Sequence, residues 1–89
     1  MAKTWFVYIV ECVDGSLYTG IAVDPVARFE AHCSGRGARY MRLSPPRRLL
    51  AATACADRSA ASQAEYRIKR LTPAAKRDWA QQHPIAAAA

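Results

Sequence analysis

Hydrophobic positions open the chain in a dense block. Over residues 4–12, Trp5, Val7 and Ile9 alternate with Phe6, Tyr8, Val10 and Cys12. Apolar or aromatic side chains on both faces predict a central β-strand. Asp14-Gly15 marks a hairpin turn, and residues 16–22 read as the return strand. The length of the turn decides which side chains share a face. A two-residue loop would put Tyr8 and Tyr18 on opposite sides. A three-residue loop, Val13-Asp14-Gly15 with Gly15 left-handed, pairs Cys12 with Ser16, Tyr8 with Gly20 and Tyr18 with Val10. The second register gathers Val7, Ile9, Leu17, Thr19 and Ile21 on one side and is preferred for that reason.

The period then changes. Asp24 is a good N-cap and Pro25 a good first residue, so a helix is predicted from there to about Cys33, with Val26, Phe29 and Cys33 as its apolar stripe and Ser34-Gly35 as its stop. Residues 34–46 read as a basic loop, with Arg36, Arg39 and Arg42 around Tyr40 and Met41. Residues 47–55 fit strand or helix by propensity. A strand is expected, because Pro45-Pro46 precedes them and a hairpin needs a third partner. Asp57 or Ser59 caps a second helix running to about Leu71, with Ala61, Ala64, Ile68 and Leu71 as its stripe. Thr72-Pro73 caps a third, anchored by Trp79 and ended by His83-Pro84. The expected fold is α+β: a three-stranded antiparallel sheet flanked by helices, one domain over residues 1–83, then a short frayed tail over 84–89.

Composition narrows the class. The 89 residues are 52% hydrophobic with eight aromatics, too apolar for a disordered chain. No run approaches the roughly 20 apolar residues of a membrane span, and the first residues lack a signal peptide's apolar stretch. A cytoplasmic protein is expected. Cys12, Cys33 and Cys55 are widely spaced and read as reduced thiols rather than a zinc or redox motif. The formal net charge of +6 is uneven. Residues 1–30 set Lys3 and Arg28 against Glu11, Asp14, Asp24 and Glu30, a net −2. Residues 31–89 set eleven Lys and Arg against Asp57, Glu65 and Asp78, a net +8. A basic half suggests a polyanionic partner, though a solvated surface explains the charge equally well.

Candidate chemistry is spread along the chain. Tyr8 and Tyr18 place two hydroxyls on one face of a hairpin, where ordinary strand tyrosines would also stand. Arg28 and His32, four apart, share a helix face that borders the core rather than filling it. Glu65 falls at the edge of an inward stripe on a cationic helix whose Arg67, Lys69 and Arg70 point elsewhere. Such a carboxylate needs a cation, and helix geometry does not separate Arg28 from a bound Mg²⁺.

Taken in order, Phe6-Val7-Tyr8, Tyr18-Thr19-Gly20, Arg28, His32 and Glu65 resemble the GIY-YIG nuclease domain, in its small stand-alone bacterial form. The likeness spans about Trp5 to Lys76 and includes Gly35-x-Gly37-Ala38, Asp57-Arg58-Ser59 and Ala64-Glu65-Tyr66-Arg67. It implies a metal-dependent endonuclease with Tyr8, Tyr18, Arg28, His32 and Glu65 as catalytic residues, and one Mg²⁺ or Mn²⁺ on Glu65. The substrate would be nucleic acid, DNA rather than RNA, in repair or recombination. Arg36, Arg39, Arg42, Arg47 and Arg48 would grip flanking phosphates. Two positions depart from the family pattern: Phe6 stands where many members have Gly, and Ile21 where repair-type members have Lys. The second removes one cation near the scissile phosphate. A non-cutting binding module of the same fold is the alternative, as is a small interaction protein whose Tyr and Arg residues are structural.

Overall fold

The computed structural model describes residues 3–35 and 44–85. Six elements follow one another: β1 (Trp5–Cys12), β2 (Leu17–Ala22), α1 (Pro25–Cys33), β3 (Pro46–Cys55), α2 (Arg58–Lys69) and α3 (Pro73–Gln82). The strands form one antiparallel sheet in the order β2-β1-β3, so β1 is central as its two apolar faces require.

The hairpin takes the three-residue loop. Gly15 has φ 85°, which a Cβ would disfavour, and the Cys12 amide donates to the Ser16 carbonyl at 2.9 Å. Tyr8 therefore faces Gly20, and Val10 faces Tyr18. The sheet then has two different sides. Val7 and Ile9 pack with Leu17, Ile21 and Leu50 beneath Ala64 and Ile68 of α2 and Trp79 of α3. Tyr8, Val10, Cys12 and Ala22 pack with Tyr18, Leu49 and Ala52 beneath Phe29 of α1. Burying Val7, Ile9, Val10 and Ile68 contributes about 1.5–3 kcal/mol each.

Each helix starts on a side-chain cap. Asp24, Asp57 and Thr72 accept from the amides of Ala27, Ala60 and Ala75 at 3.1, 2.8 and 3.2 Å. Residues 46–55 are a strand, which gives β1 its second neighbour. Shifts of register between Ile9 and Val10 and between Glu11 and Cys12 are β-bulges, which twist β3 locally.

Several expectations need correction. The stripe of α1 is not Val26–Phe29–Cys33: Val26 and Cys33 are exposed, and the one buried residue of the helix is His32. The helix is rolled so that Phe29 and His32 face the sheet, because the imidazole finds a hydrogen-bond partner there and can be buried without loss. Leu71 is 37% exposed and lies outside the α2 core stripe. Packing continues beyond His83, where a frayed tail was expected from residue 84. Ala51 and Pro84 form an antiparallel bridge, and the Ala52 amide donates to the His83 carbonyl at 3.3 Å. No helix among the described residues is long and apolar enough to cross a membrane.

Candidate active site

Three elements bring four of the candidate side chains together on the α1 side of the sheet. Tyr8 comes from β1, Tyr18 from β2, and Arg28 and His32 from α1. Glu65 comes from α2, which packs on the opposite face.

The inner part is an aromatic triangle. The Tyr8 hydroxyl lies 3.1 Å from His32 Nε2. The Tyr18 ring meets His32 edge-on, with centroids 5.5 Å apart, and lies 6.4 Å from the Tyr8 ring. Room for this depends on Gly20. A Cβ there would sit 2.6 Å from the Tyr8 Oη and 3.0 Å from a Tyr18 ring carbon. Gly20 is thus required by the Tyr8 side chain that crosses it, since its own backbone φ is not left-handed.

Exposure divides the set. Tyr8 is 1% and His32 2% exposed, whereas Tyr18 and Glu65 are half-buried and Arg28 is exposed. The expectation that Arg28 and His32 both border the core is therefore corrected. Only Arg28 lies at the surface, and His32 fills the layer between α1 and the sheet.

Burial and the neighbouring Tyr18 push the Tyr8 hydroxyl up to about 12, against the opposing pull of the Arg28 guanidinium. The Glu65 carboxylate adds a small upward push. The charges of Arg28 and Glu65 are therefore both felt at the Tyr8 oxygen, although one is on α1 and the other on α2. Burial, followed by the Arg28 charge, lowers His32. At neutral pH the pair is a phenol and an uncharged imidazole, so the phenol can donate to Nε2.

Glu65 has a partner that neither expectation named. Its Oε2 lies 3.4 Å from Lys69 Nζ, one helical turn on. Lys69 therefore does not point away from it, and the carboxylate needs neither Arg28 nor a metal for charge balance. The Lys69 side chain is 54% exposed, so this is a surface pair and readily broken. No group of three or more His, Cys, Asp and Glu that could hold a metal occurs among the described residues. The donor set still fits a hard divalent ion of the Mg²⁺ kind. Such an ion is commonly held by one carboxylate together with water and substrate phosphate, and Glu65 has an accessible one.

The basic residues expected to grip phosphates fare unevenly. Arg36, Arg39 and Arg42 lie outside the described residues. Arg47 is exposed on β3, beside the second bulge. Arg48 is otherwise engaged: its Nε donates to Glu11 Oε1 at 3.1 Å, while Arg77 Nη1 donates to Oε2 at 2.8 Å. Glu11 is 7% exposed and shares its side of the strand with Val7 and Ile9. Hydrogen bonding from Arg77 and then Arg48 holds its carboxyl below the usual value. Arg48 thus balances a buried charge on the face away from Tyr8, and its expected phosphate role is not supported. The cluster had a legible signal: a carboxylate at an inward position of a central strand needs cations.

The chain is similar to known proteins over most of its length. A family model described as the GIY-YIG catalytic domain matches residues 4–78. A UPF0213 protein of Xanthomonas axonopodis pv. citri is 46% identical over 82 residues, covering 92% of this chain and 80% of its own. One from Desulfotalea psychrophila is 51% identical over 74 residues, covering 82% of this chain and 67% of its own. The solution NMR structure of a UPF0213 protein from Bacillus halodurans superposes with a TM-score of 0.56 at 39% identity. That match covers 89% of this chain and 84% of the other.

Proposed function

Because the chain belongs to the GIY-YIG catalytic-domain family, we propose that it is an endonuclease that hydrolyses phosphodiester bonds, DNA in preference to RNA, with a divalent ion held at Glu65. The observation that carries this reading is the hydrogen bond between Tyr8 and His32, at 3.1 Å beside the Tyr18 ring. An aromatic hydroxyl backed by a neutral imidazole is a route for a proton.

The chain's residues divide the work as follows. Arg28, exposed on α1, meets the phosphate and balances the charge that grows on it. Tyr18 hydrogen-bonds the phosphate or the attacking water and fixes the line of attack. That water must lose a proton. Tyr8, held near 12, is a poor base alone. It accepts the proton only as it passes its own to His32 Nε2, which its lowered basicity keeps free to receive one. Tyr8 is almost fully covered, so substrate binding must part the side chains above it. A divalent ion at Glu65 would supply Lewis-acid polarisation of the phosphate and stabilise the leaving oxygen. The exposed Lys69 pair engages Oε2 of that carboxylate and leaves Oε1 for the ion.

The test is cleavage of labelled single-stranded, duplex and branched DNA and of RNA, with Mg²⁺, Mn²⁺ or EDTA, beside Glu65→Ala and Tyr8→Phe. Metal-dependent cleavage lost in both variants is expected. Binding without cleavage on every substrate would favour the binding-module reading instead. The ion pair between Glu65 and Lys69 is the observation on that side, since it balances the carboxylate without a metal.

A further inference from the structure

A groove leaves the candidate site along the outer side of β2. Its first part has a volume of about 230 Å³ and is lined by Leu17, Tyr18, Thr19, Lys69 and Lys76. Its second part, about 410 Å³, runs past Leu17, Pro73 and Lys76 to Asp14, Gly15 and Ser16 at the hairpin turn. Leu17 and Lys76 line both parts, so the two hollows adjoin. Tyr18 belongs at once to the aromatic triangle and to the groove's near end.

We propose that this groove seats the phosphate next to the scissile one, gripped by Lys69 and Lys76. The inference rests on the nuclease reading for the identity of its ligand, a nucleic-acid phosphodiester. It moves the strand's path from the β3 side, where Arg48 is committed to Glu11, to the β2 side.

The two ammonium groups suit the task. Lys76 makes no ion pair among the described residues. Lys69 is paired to Glu65 at 3.4 Å but remains more than half exposed. With three N–H donors, it can hold the carboxylate and a phosphate oxygen together. Lys69 thus links the metal-binding carboxylate to the adjacent phosphate. The far end of the groove has the opposite sign. The Asp14 carboxylate accepts from the Ser16 amide at 2.9 Å and the Ser16 hydroxyl at 2.6 Å, and these bonds hold it ionised, at about 2. It repels a phosphate, so the gripping stretch ends beyond Lys76.

Anisotropy binding of fluorescently labelled single-stranded and duplex DNA, over a salt series in EDTA, tests this without any cleavage. Lys76→Gln and Lys69→Gln are each expected to lower the slope of log affinity against log salt by about 0.7–0.9, the release of one phosphate's counterion. Lys76→Arg should keep the slope. Arg70→Gln removes an equal charge from the C-cap of α2, outside the groove, where Arg70 donates to Tyr66, and should leave the slope unchanged. Circular dichroism checks that each variant is folded. Equal slopes for Arg70→Gln and the two lysine variants would reduce the effect to net charge and overturn the proposal. Lysine variants that bind as the wild type does would overturn it even if the wild type cleaves. Wild type that binds through both lysines but never cleaves would retain the groove and sink the nuclease reading. No binding at all by the wild type would remove both.

Discussion

The Tyr8 hydroxyl and the His32 imidazole meet at 3.1 Å between β1 and α1, although 24 positions separate them in the chain. Both are all but removed from solvent. A polar pair in that position fixes how α1 lies on the sheet as well as what the site can do, and the two consequences can be separated by experiment.

Tyr8→Phe keeps the ring and removes the hydroxyl. Cleavage should fall by about 10²–10⁴-fold, the range for loss of a positioned proton-transfer group. Stability should fall by about 1–3 kcal/mol, the cost of leaving the buried His32 Nε2 without that partner. Single-turnover rates and urea midpoints measured on the same preparation check both numbers. A stability loss several times larger, with unfolding at the assay temperature, would make the activity loss uninformative about chemistry.

The pH dependence follows from His32. Its folded value lies below the ordinary 6.5, through burial first and the Arg28 charge second. As pH falls below 6.5, the unfolded chain takes up a proton before the native one does. The stability that this residue contributes is therefore complete above 6.5 and is lost as pH falls through the lower folded value. The acid limb of the rate profile should have its midpoint below 6.5, because a protonated imidazole cannot accept from Tyr8. An NMR titration of the His32 ring, compared with the pH–rate curve, reads both. A midpoint above 6.5 in either would contradict the burial argument.

Gly20→Ala is expected to destabilise the fold by about 1–3 kcal/mol, the cost of overpacking a filled site. The new methyl would stand 2.6 Å from the buried Tyr8 oxygen, which cannot simply swing into solvent. Chemical denaturation measures the loss. A neutral result would mean that the tyrosine ring has more freedom than its packing implies.

Glu11→Gln should flatten the acid side of the stability profile. The Glu11 carboxyl is held below its ordinary 4.5 by Arg77 first and Arg48 as well. Its contribution is therefore present above 4.5 and disappears as pH falls through the folded value. Melting temperatures of wild type and variant, followed downward from neutral pH, should converge as the carboxylate is protonated in both states of the wild type. Curves that stay parallel to the most acid pH would show that the two arginines do not depend on that charge.

Much of the fold was legible because local signals agreed with one another. Asp24-Pro25, Asp57 and Thr72-Pro73 mark helix starts through side-chain caps, and each cap is made. The hairpin register followed from gathering aliphatic residues on one side, and that choice put Tyr8 and Tyr18 together. Residues 47–55, ambiguous by propensity, became a strand because the central strand needed a neighbour. What local patterns left hidden depends on contacts distant in sequence. Periodicity assigned Val26 and Cys33 to the core of α1, because it does not register that a histidine with a partner can be buried instead. It left Glu65 to Arg28 or a metal, because a pair between Glu65 and Lys69 depends on which rotamers the helix surface selects. It read Arg48 as a phosphate contact, because Glu11 stands 37 positions from it and meets it only when β3 pairs with β1.

Arg77 carries a further consequence. Its guanidinium donates to the Gly15 carbonyl at 2.8 Å and to Glu11 at 2.8 Å, so the first turn of the protein is clasped by its last helix. A chain emerging from the ribosome has both tyrosines long before it has that clasp. Its first 30 residues carry a net −2 and lack the later cations and Glu65. A polypeptide that stops just before α3 therefore holds Tyr8, Tyr18, Arg28, His32 and Glu65 but lacks the guanidinium that ties down the hairpin, and its buried Glu11 is left to Arg48 alone.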